Sequence, residues 1–183
     1  MSPTRRLILA AAGAGFALPP IIEAAHAAPE LPAEATANDT AAELARLSAK
    51  ANAALMRGEI DEYRALVPHA DDYTLMSPFG GTPTRGEELT EARWKSVGRF
   101  FRNGTFSHQV VESYATADMV ALAVIERCNV EVGGLPAQEW LLRVTLVYRR
   151  ERDGWRLAHR HADPLANGIG LEQAAALGRG EAA

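Results

Sequence analysis

The chain of 183 residues has one cysteine, Cys128, and two lysines, Lys50 and Lys95; every other basic side chain apart from histidine is arginine. A single thiol cannot form an intrachain bridge, so a disulfide-stapled scaffold is excluded. The net charge of −4 leaves no basic footprint, and no nucleic-acid partner is expected. There is no nucleotide-binding loop and no nucleophile elbow. Gly-x-Gly occurs at residues 13–15 and 168–170, and neither instance follows a strand pattern. The longest apolar run, residues 7–18, falls short of the roughly 20 residues a membrane-spanning helix needs. What is present is an ordinary globular composition, 48% apolar and 23% charged. That excludes collagen-like and disordered classes, because enough apolar side chains exist to offset chain entropy. Alanine makes up about a fifth of the chain and is concentrated at its two ends.

The N-terminal alanines belong to an address. Thr4-Arg5-Arg6-Leu7-Ile8-Leu9 sets an arginine pair before the apolar run, Pro19-Pro20 ends it, and Ala25-His26-Ala27 offers a small-residue cleavage site. Together these make an export signal, and the arginine pair points to the twin-arginine translocase as a partner during export. Residues 1–27 are therefore read as a twin-arginine signal peptide. Cleavage near Ala27 would leave a periplasmic or secreted protein. Residues 28–38, rich in Ala, Pro and Glu, read as a linker. Residues 39–165 read as one domain, and residues 166–183 as an Ala/Gly-rich tail with a short helix near residues 171–177.

Within the domain a helical half precedes a strand half. Thr40 and Glu43 fit a capping box, followed by Leu44, Leu47, Ala51, Ala54 and Leu55 at helical spacing, with Gly58 as the stop. Ile60, Tyr63, Leu66 and Val67 predict a second short helix, and residues 72–79 a strand. Residues 87–102 predict a third helix with Trp94, Val97 and Phe101 on one face. Gly98 inside it costs about 1 kcal/mol against Ala and marks a close contact. From Gly104 the period becomes two. Four strands follow, joined by turns at residues 115–118, Gly133-Gly134 and Asp153-Gly154. Sequential hairpins imply an antiparallel meander, covered on one face by three helices, an α+β arrangement.

Two stretches carry a family resemblance. One is Ala70-Asp71-Asp72-Tyr73-Thr74-Leu75-Met76-Ser77-Pro78-Phe79-Gly80, with Arg85-Gly86-Glu87 opening the next helix. The other runs from Arg143-Val144-Thr145 through Asp153-Gly154-Trp155-Arg156-Leu157-Ala158-His159-Arg160-His161-Ala162-Asp163. With the element order, they resemble the SnoaL-like branch of the nuclear transport factor 2-like superfamily, near the subset similar to the kinase association domain. The resemblance implies a cone-shaped fold, a strongly curved antiparallel sheet with three helices over it. That fold hosts isomerases, cyclases, dehydratases and non-catalytic association domains, so it does not choose a reaction. In ketosteroid isomerases of this fold, the strand similar to residues 72–80 carries an aspartate base immediately before proline. Ser77 stands there in this chain, and a hydroxyl cannot replace a carboxylate base, so that mechanism is disfavoured.

Three candidate catalytic residues remain: His161, His159 and Glu126. Alternation puts Glu126 on the apolar face of Val124 and Cys128, and a buried carboxylate must be paired or carry a raised pKa. It is either a structural Glu–Arg or Glu–His pair or a pocket acid/base. Histidine suits proton transfer because its ordinary pKa lies near 6.5. Arg143, Tyr73, Trp94, Ser77 and Asp163 are the candidate ligand contacts. His159, His161 and Asp163 share a strand face by alternation and could in principle supply metal ligands. The resemblance implies no metal and no fourth ligand has clear spacing, so no metal or other cofactor is expected. Cys128, mid-strand, reads as a small buried hydrophobe. The function expected is binding of a small, largely apolar organic ligand in the cone, with acid/base chemistry on it as an extension. The alternative is a non-catalytic homodimeric association module using the outer face of the sheet.

Overall fold

A computed structural model describes residues 32–180. The expected export signal and the first residues of the linker lie outside the described residues. Helix α1 spans Pro32–Arg57 and α2 Ile60–Leu66. Strands β1 (His69–Met76) and β2 (Thr84–Arg85) follow, then a single 3-10 turn, Gly86–Glu88. Helix α3 is Glu91–Phe100. Four long strands complete the domain: β3 Phe101–Ala115, β4 Met119–Val132, β5 Leu135–Glu151 and β6 Gly154–Pro164. Helix α4, Leu171–Gly178, falls where the tail pattern predicts a helix.

The first helix begins at Pro32, seven residues before Asp39. Residues 33–37 are mostly alanine, the strongest helix former, and proline at a helix start loses no intrahelical bond. Thr40 and Glu43 therefore lie inside α1 and do not cap it; Glu43 instead takes a bidentate contact from Arg46, at 2.8 and 2.6 Å. The third helix is shorter than residues 87–102 because Thr90 supplies the true cap, its hydroxyl accepting from Arg93 N at 3.3 Å. Phe101 already belongs to β3.

The six strands form one sheet in the order β2-β1-β6-β5-β4-β3. Strands β3 to β6 are the expected antiparallel meander. The sheet as a whole is mixed, because β1 pairs in parallel with β6, His69 opposite Leu157 and Met76 opposite His161. No hairpin joins these two strands, so nothing in the local turn chemistry fixes their relative direction. The concave face carries the core: Val120, Leu122, Leu146, Tyr148 and Leu157 are essentially fully buried against Ala41, Leu44, Ala45 and Ala51 of α1. Each such aliphatic side chain contributes about 1.5–3 kcal/mol by leaving water.

Gly98 does mark a close contact. A Cβ there would stand 3.1 Å from Ile60 Cβ, and one on Gly58 would stand 2.8 Å from Gly98 O. Gly58 also has φ +83°, a conformation that lets α1 turn directly into α2.

One irregularity decides what faces inward. On β5, Tyr148 pairs with Leu157, but Val147 pairs with His159, so Ala158 is an extra residue on β6. This bulge shifts the strand's alternation by one. Beyond it Arg160 pairs with Leu146 and Ala162 with Val144, both on the buried face. His159, His161 and Asp163 pair with Val147, Thr145 and Arg143 on the outer face. Uninterrupted alternation would put His159 and His161 on the side of Leu157; the extra residue, Ala158, moves them to the opposite face.

Candidate functional site: the cavity of the cone

Between α1, α3, β1 and the concave face of the sheet lies a cavity of about 300 Å³. This volume sits at the low end of small-molecule pockets, roughly 300–1,000 Å³. Most of its wall is apolar, from Leu55 and Met56 on α1 to Leu75, Val97, Val130 and Leu142.

The polar floor is built by β4, β6, β1 and α2. Glu126 on β4 is 1% exposed. Arg160 on β6 reaches it with two parallel hydrogen bonds, Nη1 to Oε1 at 2.7 Å and Nη2 to Oε2 at 2.6 Å. A bidentate charge-assisted pair of this kind satisfies both carboxylate oxygens. Burial works against the charge on Arg160, but Glu126 outweighs it and holds the guanidinium pKa above its usual value.

His69, at the start of β1, packs its ring edge-on to Tyr73 with centroids 4.4 Å apart, and lies 5.2 Å from Trp94. Its Nε2 is 3.3 Å from the Tyr63 hydroxyl. Burial pushes the imidazole pKa down to about 4, with the Val67 carbonyl opposing and the cations Arg64 and Arg160 assisting. The ring is therefore neutral near pH 7. Burial likewise pushes the Tyr63 and Tyr73 hydroxyls up, so both stay protonated. Cys128 also lines the cavity; burial raises its thiol to about 12, which removes it as a nucleophile.

The mouth is aromatic. Phe79 contacts Phe100 and Trp140 edge-on, both at 5.8 Å between centroids. It rides on the β1–β2 loop, where Gly80 and Gly81 both have positive φ and open space around them. Ser77 anchors this loop: its hydroxyl accepts from Phe79 N at 3.2 Å and its carbonyl from Gly80 N at 3.0 Å.

A SnoaL-like domain model matches residues 45–166.

The chain belongs to the SnoaL-like family.

No curated protein matches it. Among solved structures, it is similar to a protein from Thiobacillus denitrificans described as a calcium/calmodulin-dependent protein kinase type II association domain. That match is at 29% identity, over 63% of this chain and 89% of the other, with a TM-score of 0.50. A protein from Streptomyces avermitilis, described as a dehydratase of the nuclear transport factor 2-like family, is 23% identical over 71% of this chain and 99% of its own (TM-score 0.57). A nuclear transport factor 2-like superfamily protein from Salmonella enterica serovar Typhimurium is 15% identical over 74% and 99% (TM-score 0.55). The last two likenesses concern the fold alone.

In this SnoaL-like domain the residues singled out from sequence divide into two groups. Glu126, Tyr73, Trp94 and Ser77 line the cavity. Arg143, His161 and Asp163 line a shallow hollow on the outer face of the sheet, beside Val111 and Thr145. There His161 Nε2 lies 3.4 Å from Asp163 Oδ2. His159 Nδ1 is 2.6 Å from the Thr74 hydroxyl, and partial burial lowers its pKa, assisted by His161 and opposed by Thr74. The partner of Glu126 is Arg160, while Arg143 lies on the opposite face of the sheet. Among the described residues no group of three His, Cys, Asp or Glu side chains is placed to hold a metal ion. Sequence reasoning missed Arg160, His69 and Tyr63. The bulge hides Arg160, and His69 and Tyr63 meet only when α2 folds back against β1.

Proposed function

We propose that this SnoaL-like protein is an exported binder of a small, largely apolar organic molecule held in the cone. The carrying observation is the combination of an apolar cavity of about 300 Å³ with a few convergent polar groups: the buried Glu126 and Tyr73 and the partly buried Arg160 and His69. Pockets of this make-up bury most of a small ligand and use the polar groups to orient it. Acid/base chemistry on the ligand would fall to two of the polar groups of the cavity, Glu126 and His69. His159 and His161, the first candidates by residue type, face the other side of the sheet. Native mass spectrometry and thermal-shift measurements against a panel of small apolar compounds test the reading. One-to-one complexes with raised melting temperatures are expected. Unchanged melting across the panel, with 1-aminoanthracene also failing to bind, refutes it. Export is tested by fusing residues 1–31 to a reporter that fluoresces only after folded translocation.

Self-association is a second reading, favoured by exposed apolar side chains on the outer sheet face. Val111 and Tyr114 are 60% and 66% exposed, and Met119 45%. A patch of this kind on a curved sheet is suited to an isologous contact with a second copy. Light scattering across a concentration series distinguishes a dimer from a monomer, and Tyr114→Glu should abolish the dimer.

A further inference from the structure

The cavity floor holds a balanced charge. Among the described residues Glu126 is the one carboxylate lining the cavity, and Arg160 consumes its negative charge through both oxygens. The remaining titratable groups of the floor, His69, Tyr63, Tyr73 and Cys128, are all neutral at pH 7 for the reasons given above. Arg93, the other charged residue of the lining, lies on the exposed side of α3, where water screens it.

Arginine carries five N–H donors, and the contact with Glu126 uses one from each terminal nitrogen. The guanidinium therefore still has donors to give, although its charge is compensated. A ligand carboxylate placed on that floor would find no uncompensated cation and would stand close to Glu126. The burial cost of an unpaired charge would be unrelieved. A neutral carbonyl, ester or lactone oxygen meets the same donors with no such cost.

We propose that the cavity selects uncharged ligands that bear a hydrogen-bond-accepting oxygen at one end of an apolar or aromatic body, and that Glu126 sets this selection by neutralising Arg160. The proposal rests on the ligand-binding reading above and adds the ligand class to it. Glu126 is here a specificity-determining residue. Its removal would leave Arg160 as a buried, uncompensated cation, and the cavity would then favour an anion.

The probes are 2-acetylnaphthalene and 2-naphthoate, which share a ring system and differ in charge, titrated by quenching of tryptophan fluorescence. The wild-type protein should bind the ketone at least about tenfold more tightly than the carboxylate. Glu126→Gln should lose or reverse that ratio, and Glu126→Gln with Arg160→Gln should restore it. Circular dichroism verifies folding of each variant. Should Glu126→Gln not fold, methyl 2-naphthoate against 2-naphthoate repeats the comparison on wild-type protein. Equal affinities, a wild-type preference for the carboxylate, or a ratio unmoved in Glu126→Gln overturns the proposal while leaving the binding reading intact. Failure of both naphthyl compounds and of the whole apolar panel overturns the binding reading itself, and the selection with it.

Discussion

Glu126 and Arg160 face each other from β4 and β6 with the whole of β5 between them, joined by hydrogen bonds of 2.7 and 2.6 Å. Arg160→Ala leaves the Glu126 carboxylate buried and unpaired, and should cost about 3–5 kcal/mol. The double change Glu126→Leu with Arg160→Met should cost far less, because a compact apolar pair replaces a desolvated ionic one. Urea denaturation of the two variants and the wild type measures the difference. Equal losses would show that the pair contributes by packing and not by charge.

His69 makes stability depend on pH. Its pKa falls from 6.5 in the unfolded chain to about 4 in the folded one. Between those values the unfolded state binds the extra proton, so folding stability is complete above about pH 6.5 and declines as pH falls toward 4. The loss attributable to this group is at most about 3 kcal/mol. Chemical denaturation at pH 7.5, 6, 5 and 4.5 should show the decline, and His69→Phe should flatten that part of it.

Gly58→Ala should destabilise the domain by more than about 1 kcal/mol, because it combines a positive φ with a backbone oxygen 2.8 Å from the new methyl group. Gly168→Ala has open space and no unusual φ, and should stay within about 0.5 kcal/mol of wild type. Melting temperatures of the two variants check the contrast.

Cys128 should be silent toward a thiol reagent in the folded protein. It is buried, and its thiol is pushed up to about 12. Absorbance with a disulfide reagent should rise by one equivalent only after denaturation.

Phe79→Ala should open the mouth of the cavity without unfolding the protein, since Phe79 is 54% exposed. Acrylamide should then quench tryptophan fluorescence more strongly, because Trp140 loses the ring that lies 5.8 Å from it. Quenching unchanged from wild type would count against Phe79 as a cover.

The helix and strand pattern was legible because alternation and helical spacing are properties of local sequence. Glu126 is buried as its place between Val124 and Cys128 predicts, and the turns at Gly133-Gly134 and Asp153-Gly154 carry the residue types that tight hairpins need. Strict alternation fails at Ala158, an ordinary residue whose bulge is set by how β6 lies against β5. That one-residue shift moves Arg160 inward and His159 and His161 outward. The parallel pairing of β1 with β6 was also not legible, because it depends on contacts between distant parts of the chain.

That pairing has a consequence for folding. His69 meets Leu157, and Leu157 N donates to Pro68 O at 2.9 Å, so the earliest strand waits for the last one to be made. Contacts of such long sequence separation slow folding, because the loop between them must close before they form. A chain stopped before Gly154 would lack Arg160 as well as the neighbour of β1. It would leave the edges of β1 and β5 open to pairing with other chains. The enclosure around Glu126 thus requires the full length of the domain, since both Arg160 and the parallel partner of β1 come from its last strand.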